Sequence, residues 1–192
     1  ILWDKHTQTI VSNESSEIIR MFNRAFNQLT GNHNDYYPVS LRSKIDEVNT
    51  RVYDTINNGV YLSGFATTQQ AYEKAFNALF ESLDWVEELL SKQRYLAGDT
   101  ITEADWRLFT TLIRFDAVYF GHFKTNRQQI ADYPAMSHYL RELYQTEGIA
   151  NTVNFEHIKT HYYASHKTIN PTGVIPVGPL QDFSQSHNRQ GK

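Results

Sequence analysis

Three tyrosines lie at positions where helical segments are expected to end. Tyr61 follows Asn-Asn-Gly-Val, Tyr119 follows Phe-Asp-Ala-Val, and Tyr162 lies within His161–Tyr163. A tyrosine hydroxyl can hydrogen-bond a phenolic or quinone oxygen, the ring can stack on an aromatic ligand, and the hydroxyl can act as a general acid. These residues are therefore candidates to bind an aromatic substrate. With twelve tyrosines in the chain, the three could equally be core or surface residues.

A second candidate site lies in Ser12–Ser15, where a predicted strand passes into a predicted helix. The free backbone amides at a helix N-terminus favour anions. Ser15 could donate its hydroxyl to a bound carboxylate, and Glu14 could accept from a ligand ammonium. Together they would suit the zwitterionic head of an amino acid or a γ-glutamyl group. The alternative is that both residues are ordinary helix caps.

Histidines form a third cluster near the C-terminus: His157, His161 and His166. Two histidines on one helical face can bind a metal, but only Glu156 accompanies these in register. Surface or supporting roles are therefore favoured, and no metal is predicted. The chain has no cysteine, which excludes disulfides, thiolate metal sites and a cysteine nucleophile within these 192 residues.

Composition limits the possible functions. The formal net charge of −3 and a pI near 6.2 provide no basic field for nucleic acid, so no nucleic-acid partner is expected. No apolar run is long enough to cross a membrane, so no membrane partner is expected. The first residue is Ile1 rather than Met, which suggests a part of a longer protein.

The predicted elements divide the chain into four parts. Residues 1–28 contain two short strands, at 1–3 and 9–11, and a helix from Ser15, which together resemble the last β-β-α portion of an α/β domain. Residues 29–38 are rich in turn formers and predict a linker. Residues 39–164 predict an all-helical domain, and residues 165–192 an extended tail that packs back onto it and becomes mobile from Gln181 onward.

Within the helical part, apolar spacing predicts a helix from Leu41 to Ile56 that ends at Asn57–Gly59. Thr67 or Thr68 is expected to cap a longer helix. Further helices are expected after Tyr133-Pro134 and after a cap at Asn154. The central helix is expected to begin at Thr102, whose capping box uses Asp105 where Glu is more usual.

This capping box, preceded by Leu96-Ala97-Gly98, resembles the folding motif in the all-helical C-terminal domain of glutathione transferases. Further stretches resemble one class of that family, the glutathionyl-hydroquinone reductases or Xi class, from Leu2 to about Pro179. They are Trp3–Lys5, Thr9–Ser15, Glu17–Arg20, Asn57–Tyr61, Gly64–Ala66, Gln70–Tyr72, Arg114–Asp116, Val153–Phe155 and Ser165–Gly173. The last stretch is particular to this class.

The resemblance implies a mainly α chain, with a glutathione-transferase-like all-helical C-terminal domain preceded by the end of a thioredoxin-like domain. In this family a cysteine of the thioredoxin-like domain, in a Cys-Pro-Trp-Ala context, reduces a glutathionyl-hydroquinone with glutathione as co-substrate. By resemblance, Glu14 and Ser15 hold the γ-glutamyl end of glutathione, and Tyr61, Tyr119 and Tyr162 line the hydroquinone pocket. The family also implies a cytoplasmic homodimer that associates through the helical domain.

Two other functions remain open at this point. One is thiol transfer or dehydroascorbate reduction, as in the related Omega class. The other is a non-catalytic binding or dimerisation module. Because the chain lacks the family's cysteine, it is expected to be inactive alone. Its unpaired strand edge also predicts that residues 1 to about 30 are displaced, swapped or paired with another copy.

Overall fold

The computed structural model describes residues 1–191, and its first element is a two-stranded antiparallel hairpin. Strand β1 (Leu2–Asp4) pairs with β2 (Thr9–Ser12), and the register shifts between the first two residues of β1. The Asp4 carboxylate accepts from the amides of His6 and Thr7 at 2.7 and 3.2 Å. These bonds close the turn, so both predicted strands are present.

Two short helices follow the hairpin. Helix α1 (Ser15–Phe22) begins after the Ser12 hydroxyl, which donates to the Glu17 carboxylate at 2.8 Å and thereby ties β2 to α1. Helix α2 (Asn27–Thr30) ends at Gly31, whose φ of 69° is the left-handed conformation that glycine adopts readily. The segment between α2 and residue 38 has no regular structure.

The rest of the described chain is helical up to Ser165. A short 3₁₀ turn (Val39–Leu41) leads into the helical domain, and two further 3₁₀ turns lie at Ile130–Asp132 and Ala150–Thr152. The helices are α3 (Arg42–Val52), α4 (Gly59–Gly64), α5 (Gln69–Lys92), α6 (Glu103–Arg114), α7 (Phe120–His122), α8 (Pro134–Tyr144) and α9 (Phe155–Ser165). This architecture confirms the predicted mainly α fold.

Two π-helical turns interrupt the helical path. Tyr53–Asn57 joins α3 to α4, and Phe115–Tyr119 joins α6 to α7. The predicted helix end at Asn57–Gly59 is therefore wrong. Asn58 keeps helical dihedral angles (φ −80°, ψ −31°), and its amide donates to the Tyr53 carbonyl at 3.0 Å. The helical path therefore continues through a π turn that contains one additional residue.

The central helix α6 begins as the sequence predicts. The capping box between Thr102 and Asp105 is present, with the Thr102 amide donating to the Asp105 carboxylate at 2.8 Å. The same carboxylate accepts from the Leu96 amide at 2.9 Å and from the Tyr139 hydroxyl at 2.8 Å. Asp105 therefore joins α6 to the preceding turn and to α8. The other two predicted caps are also confirmed, because Thr68 accepts from the Ala71 amide and Asn154 accepts from the His157 amide.

The expected displacement of residues 1 to about 30 is not observed. Helix α1 lies against the helical domain because the Arg20 guanidinium donates to the Glu103 carboxylate at 2.7 and 3.1 Å and to Asp46 at 2.6 Å. The Glu103 side chain is 7% exposed and that of Arg20 is 36% exposed, so the pair is partly shielded from solvent and its hydrogen bonds are charge-assisted. Charge pairing thus fixes α1 on one wall of the cleft described below.

The tail after α9 has no regular structure, as predicted, but the mobility expected from Gln181 onward is wrong. Arg189 is fully buried, and its guanidinium donates to the carbonyls of Leu90 and Gln93 at 3.2 and 2.8 Å. It also lies 3.3 Å from the Glu142 carboxylate. Phe183 stacks on Phe155 with ring centroids 5.8 Å apart. These contacts hold the tail on α5, α8 and α9.

Candidate functional site

A cleft of about 1020 Å³ lies between α1, the first π turn, α6 and α9. Its walls are mostly apolar or aromatic, as is typical of sites for small aromatic molecules. The residues that line it include Ser15, Ser16, Asn57, Tyr61, Glu103, Arg107, Thr110, Thr111, Arg114, Tyr119, His157, His161 and Tyr162.

The three tyrosines singled out from the sequence meet in this cleft. The Tyr162 hydroxyl lies 2.5 Å from that of Tyr61 and 2.8 Å from that of Tyr119. Tyr61 is 39% exposed, whereas Tyr119 and Tyr162 are 2% and 5% exposed. The hydroxyls therefore form a chain that leads from the open cleft to a buried phenol. We call these three residues the tyrosine cluster.

The two π turns position the tyrosine cluster. Tyr119 is the last residue of the second π turn, and Tyr61 lies in α4 directly beyond the first. Tyr162 reaches them from α9. A π turn changes the direction in which the next side chains point, and such turns occur often at functional sites. The same local feature thus places two of the three phenols.

Phe123 forms the floor beneath the cluster. Its fully buried ring lies 5.5 Å from the Tyr119 ring in a stacked arrangement, and 5.4 and 5.9 Å from the rings of Tyr61 and Tyr162. Gly64 permits this packing, because a Cβ at that position would lie 2.3 Å from the Phe123 ring. The tyrosine rings are therefore supported by close packing as well as by hydrogen bonds.

Burial keeps the phenols neutral. It raises the pKa of Tyr162 to about 12 and also raises the pKa of Tyr119, because the charged phenolate loses its solvation inside the protein. At neutral pH each hydroxyl can therefore both donate and accept a hydrogen bond. The cluster can hold the oxygen of an aromatic ligand and supply it with a proton.

The structure places Glu14 and Ser15 at the start of α1, where Ser15 lines the cleft and Glu14 is not among the lining residues. Glu14 is the N-cap residue but its side chain makes no capping hydrogen bond. The Ser12 hydroxyl accepts from the Glu14 amide instead, at 3.1 Å. Ser15 and Ser16 line the cleft, and their amides belong to the first turn of α1, where no helical carbonyl can accept from them. The Glu14 carboxylate thus has no capping role here.

The histidines do not form one site. His157 and His161 line the cleft, whereas His166 lies away from it with its Nδ1 3.1 Å from Nε2 of His122. Burial lowers the pKa of His122 to about 4 and also lowers that of His166. Within residues 1–191 no group of three or more histidine and carboxylate side chains has a geometry that could hold a metal ion.

Sequence reasoning missed the polar stripe of α6. Glu103, Arg107, Thr111 and Arg114 all line the cleft, at a spacing of four, four and three residues that places them on one helical face. The opposite face of α6 is apolar and contains the fully buried Leu108. The spacing of the polar residues also predicts that they share one face of the helix, and it could have identified them as candidate site residues.

Comparison with known proteins identifies the family. Residues 69–142 match the family model described as glutathione S-transferase, C-terminal domain. The chain is 57% identical over 189 residues to glutathionyl-hydroquinone reductase YqjG of Escherichia coli (strain K12), an alignment that covers 98% of this chain and 58% of the relative. This chain belongs to the glutathione transferase family.

Solved structures of other members of the family have the same fold as this chain. The glutathione-bound structure of YqjG from Escherichia coli K-12 matches with a TM-score of 0.96 at 57% identity, over 98% of this chain and 61% of that one. A Xi class glutathione transferase from Natrialba magadii matches with a TM-score of 0.97 at 46% identity, over 99% and 58%. The resemblance to the Xi class is thus confirmed.

These relatives are longer than this glutathione transferase chain, which spans 58% of the length of YqjG. Among residues 1–191 no helix is long and apolar enough to cross a membrane.

Proposed function

We propose that this chain provides the aromatic-binding part of a glutathione-dependent reductase that cleaves glutathionyl-hydroquinones. The observation that carries the proposal is the convergence of three tyrosine hydroxyls on a cleft of about 1020 Å³. The Tyr162 hydroxyl lies 2.5 Å from that of Tyr61 and 2.8 Å from that of Tyr119. A hydroquinone has two hydroxyls on one ring, and neutral phenols can both stack on such a ring and hydrogen-bond its oxygens.

The proposed reaction needs a thiolate that these 192 residues do not contain. In our proposal a cysteine outside this chain attacks the sulfur of the glutathionyl-hydroquinone. The aryl carbon–sulfur bond breaks, a cysteine–glutathione disulfide forms, and the aryl carbon takes up a proton to give the hydroquinone. A second glutathione then attacks the mixed disulfide, which releases oxidised glutathione and restores the thiolate.

The tyrosine cluster assists the first of these steps. Cleavage of an aryl–sulfur bond leaves negative charge on the ring, and a neutral phenol can stabilise that charge and supply the proton. Tyr162 is central, because its hydroxyl contacts both of the others. A proton that leaves Tyr162 can be replaced along the same hydrogen bonds.

Glu14 and Ser15 are assigned to the γ-glutamyl end of glutathione. The α1 N-terminus supplies amides for the carboxylate, and the Glu14 side chain makes no capping bond, so it is available for the ammonium. Glutathione bound there would lie at one wall of the cleft that contains the tyrosines. The proposal also includes association of two copies through the helical domain.

The test compares the 192-residue chain with a longer version of the protein that contains a cysteine. We expect the longer protein to convert a glutathionyl-hydroquinone to hydroquinone and oxidised glutathione, and the 192-residue chain to bind hydroquinone without turnover. Turnover by the 192-residue chain would overturn the assignment of the nucleophile. A longer protein that reduces simple glutathione disulfides but not the hydroquinone conjugate would favour an Omega-like thiol transferase instead.

A further inference from the structure

The polar face of α6 forms one wall of the cleft. Arg107 and Arg114 both line the cleft, and seven residues separate them, which places them on one face of the helix about 10.5 Å apart along its axis. Thr110 and Thr111 lie between them on the same wall. Two guanidinium groups therefore flank a short row of hydroxyls, and we call this set the arginine stripe.

The carboxylate nearest to the arginine stripe is already occupied. Glu103 accepts three hydrogen bonds from the Arg20 guanidinium and one at 2.9 Å from the Asn49 amide. Arg107 lies 3.8 Å from Glu103, beyond hydrogen-bonding distance, and its side chain is only 21% exposed. Glu103 and Asp46 thus face the guanidinium groups of Arg20 and Arg107, and the closest hydrogen bonds of Glu103 go to Arg20.

Arg114 has no carboxylate partner within 4 Å among residues 1–191. Its Nη1 donates to the Thr110 carbonyl at 2.5 Å, which leaves the other nitrogens of the guanidinium available. Glu103 is also the one acidic residue among the described residues that line the cleft. The wall formed by α6 therefore carries a positive charge without a carboxylate partner at Arg114, where an anionic group could neutralise it.

The arginine stripe lies beside the tyrosine cluster. The charge of Arg114 acts on Tyr162, where it favours the phenolate and so opposes the rise in the pKa of Tyr162 that burial causes. An aromatic ring held by the tyrosines would therefore have one edge near Arg114. A carboxylate on that edge could accept two parallel hydrogen bonds from the guanidinium fork.

We infer that the arginine stripe binds a carboxylate, and that the cleft prefers aromatic ligands with an acidic substituent over neutral ones. The inference rests on the proposed function, since it narrows the hydroquinone substrate to acidic hydroquinones. The carboxylate could also be the glycine end of glutathione, which has the same chemistry. The two sources are separated by ligands that contain only one of them.

The test is calorimetric binding to the 192-residue chain, with three ligands. Hydroquinone provides the neutral ring, 2,5-dihydroxybenzoate adds a carboxylate to the same ring, and S-methylglutathione provides the peptide without a ring. We expect 2,5-dihydroxybenzoate to bind about tenfold more tightly than hydroquinone, which is the effect of one charged hydrogen-bonded pair in a half-buried site.

Arg114→Gln should remove this preference by weakening the binding of 2,5-dihydroxybenzoate much more than that of hydroquinone, while Arg114→Lys should retain part of it because the charge remains. The control is Lys74→Gln, which removes a positive charge from an exposed position outside the cleft. Circular dichroism of each variant checks its fold. If Arg114→Gln weakens the binding of S-methylglutathione and not that of 2,5-dihydroxybenzoate, the arginine stripe is supported as a carboxylate site. The carboxylate that it binds is then that of glutathione.

Equal binding of hydroquinone and 2,5-dihydroxybenzoate, with S-methylglutathione unaffected by Arg114→Gln, would overturn the inference and leave the proposed aromatic site intact. Failure of both aromatic ligands to bind would overturn the inference and the proposed ring site together.

Discussion

The hydroxyl groups of Tyr61 and Tyr162 lie 2.5 Å apart, although 101 residues separate them in the chain. One belongs to the second helical element of the all-helical domain and the other to its last helix. The pair therefore forms only when α4 and α9 pack together, and both residues line the cleft. The geometry of the site therefore depends on how the helices of the domain pack together.

The first prediction concerns the central phenol. In the longer, cysteine-containing protein, Tyr162→Phe should lower kcat for glutathionyl-hydroquinone cleavage by about 10²-fold or more, the usual effect of removing a general acid. Reduction of a simple glutathione disulfide should be unchanged, because that step leaves no charge on a ring. Steady-state kinetics with both substrates measures the difference.

Tyr144→Phe is the matched control, because Tyr144 packs against Phe183 away from the cleft. It should leave both rates unchanged. Equal losses in both reactions for Tyr162→Phe would contradict a role in aryl–sulfur cleavage and indicate a general structural defect.

The second prediction concerns the packing beneath the tyrosine cluster. Gly64→Ala should destabilise the chain by about 1 to 3 kcal/mol, because the new Cβ would meet the Phe123 ring at 2.3 Å and force it to move. Hydroquinone binding should weaken as well, since Phe123 supports all three rings. Chemical denaturation and calorimetry measure the two effects.

Gly59→Ala in the same helix is the control. There the new Cβ would lie 3.6 Å from Leu79, an ordinary contact, and alanine favours the helix. We expect equal or higher stability for this variant. Similar losses of stability for both variants would argue against close packing at Gly64 as the cause.

The third prediction is a pH dependence of stability from Asp116, which lies in the second π turn. Burial raises the pKa of Asp116 from 3.8 to about 6, with a smaller contribution from the charge of Asp132. The folded state therefore holds this proton more tightly than the unfolded state. The resulting stabilisation is complete below pH 4 and is lost as the pH rises through 6.

Asp116→Asn should remove this dependence. Between pH 4 and pH 7 the free energy of unfolding of the wild type should fall relative to that of the variant, by about 2 to 3 kcal/mol at most. Urea denaturation of both proteins at a series of pH values gives the difference directly. Parallel curves would show that Asp116 titrates alike in the folded and unfolded states.

The fourth prediction concerns the tail. Arg189→Ala should release residues after Gln181, because it removes the hydrogen bonds to the carbonyls of Leu90 and Gln93 and one of the two guanidinium groups beside Glu142. Because Glu142 keeps its ion pair with Arg94 at 2.6 Å, we expect a loss of stability of about 1 to 3 kcal/mol. Hydrogen exchange should show faster exchange at the tail while α6 stays protected.

Gln190→Ala, at the neighbouring exposed position, should change neither exchange nor stability. A tail that exchanges rapidly in the wild type would contradict the anchoring role of Arg189.

Local sequence signals predicted the elements well where a cap is made by a side chain. Thr68, Thr102 and Asn154 all begin helices as expected, because capping depends on residues within one turn. The boundary at Asn57–Gly59 was wrong, since the same residues end a helix or permit a π turn depending on what packs against them. Arg189 escaped notice because burial of a charge in a polar tail depends on partners far away in the chain.

The site was predictable only in part. Tyrosine chemistry suggested the ligand class, but twelve tyrosines gave no basis for choosing three of them without the family resemblance. The spacing of the polar residues of α6 shows that they share one helical face. Whether that face can bind an anion depends on the ion pair between Glu103 and Arg20. Long-range charge pairing of that kind leaves no local pattern in the sequence.

The two π turns make the cleft sensitive to chain length as well as to residue type. Each turn contains one residue more than an α-helical turn would need. Deleting one residue from Tyr53–Asn57 or from Phe115–Tyr119 would restore a regular helix and rotate everything after it by about 100°. Tyr61 or Tyr119 would then face away from Tyr162. The cleft therefore depends on the number of residues in each turn as well as on the buried side chain of Tyr119 itself.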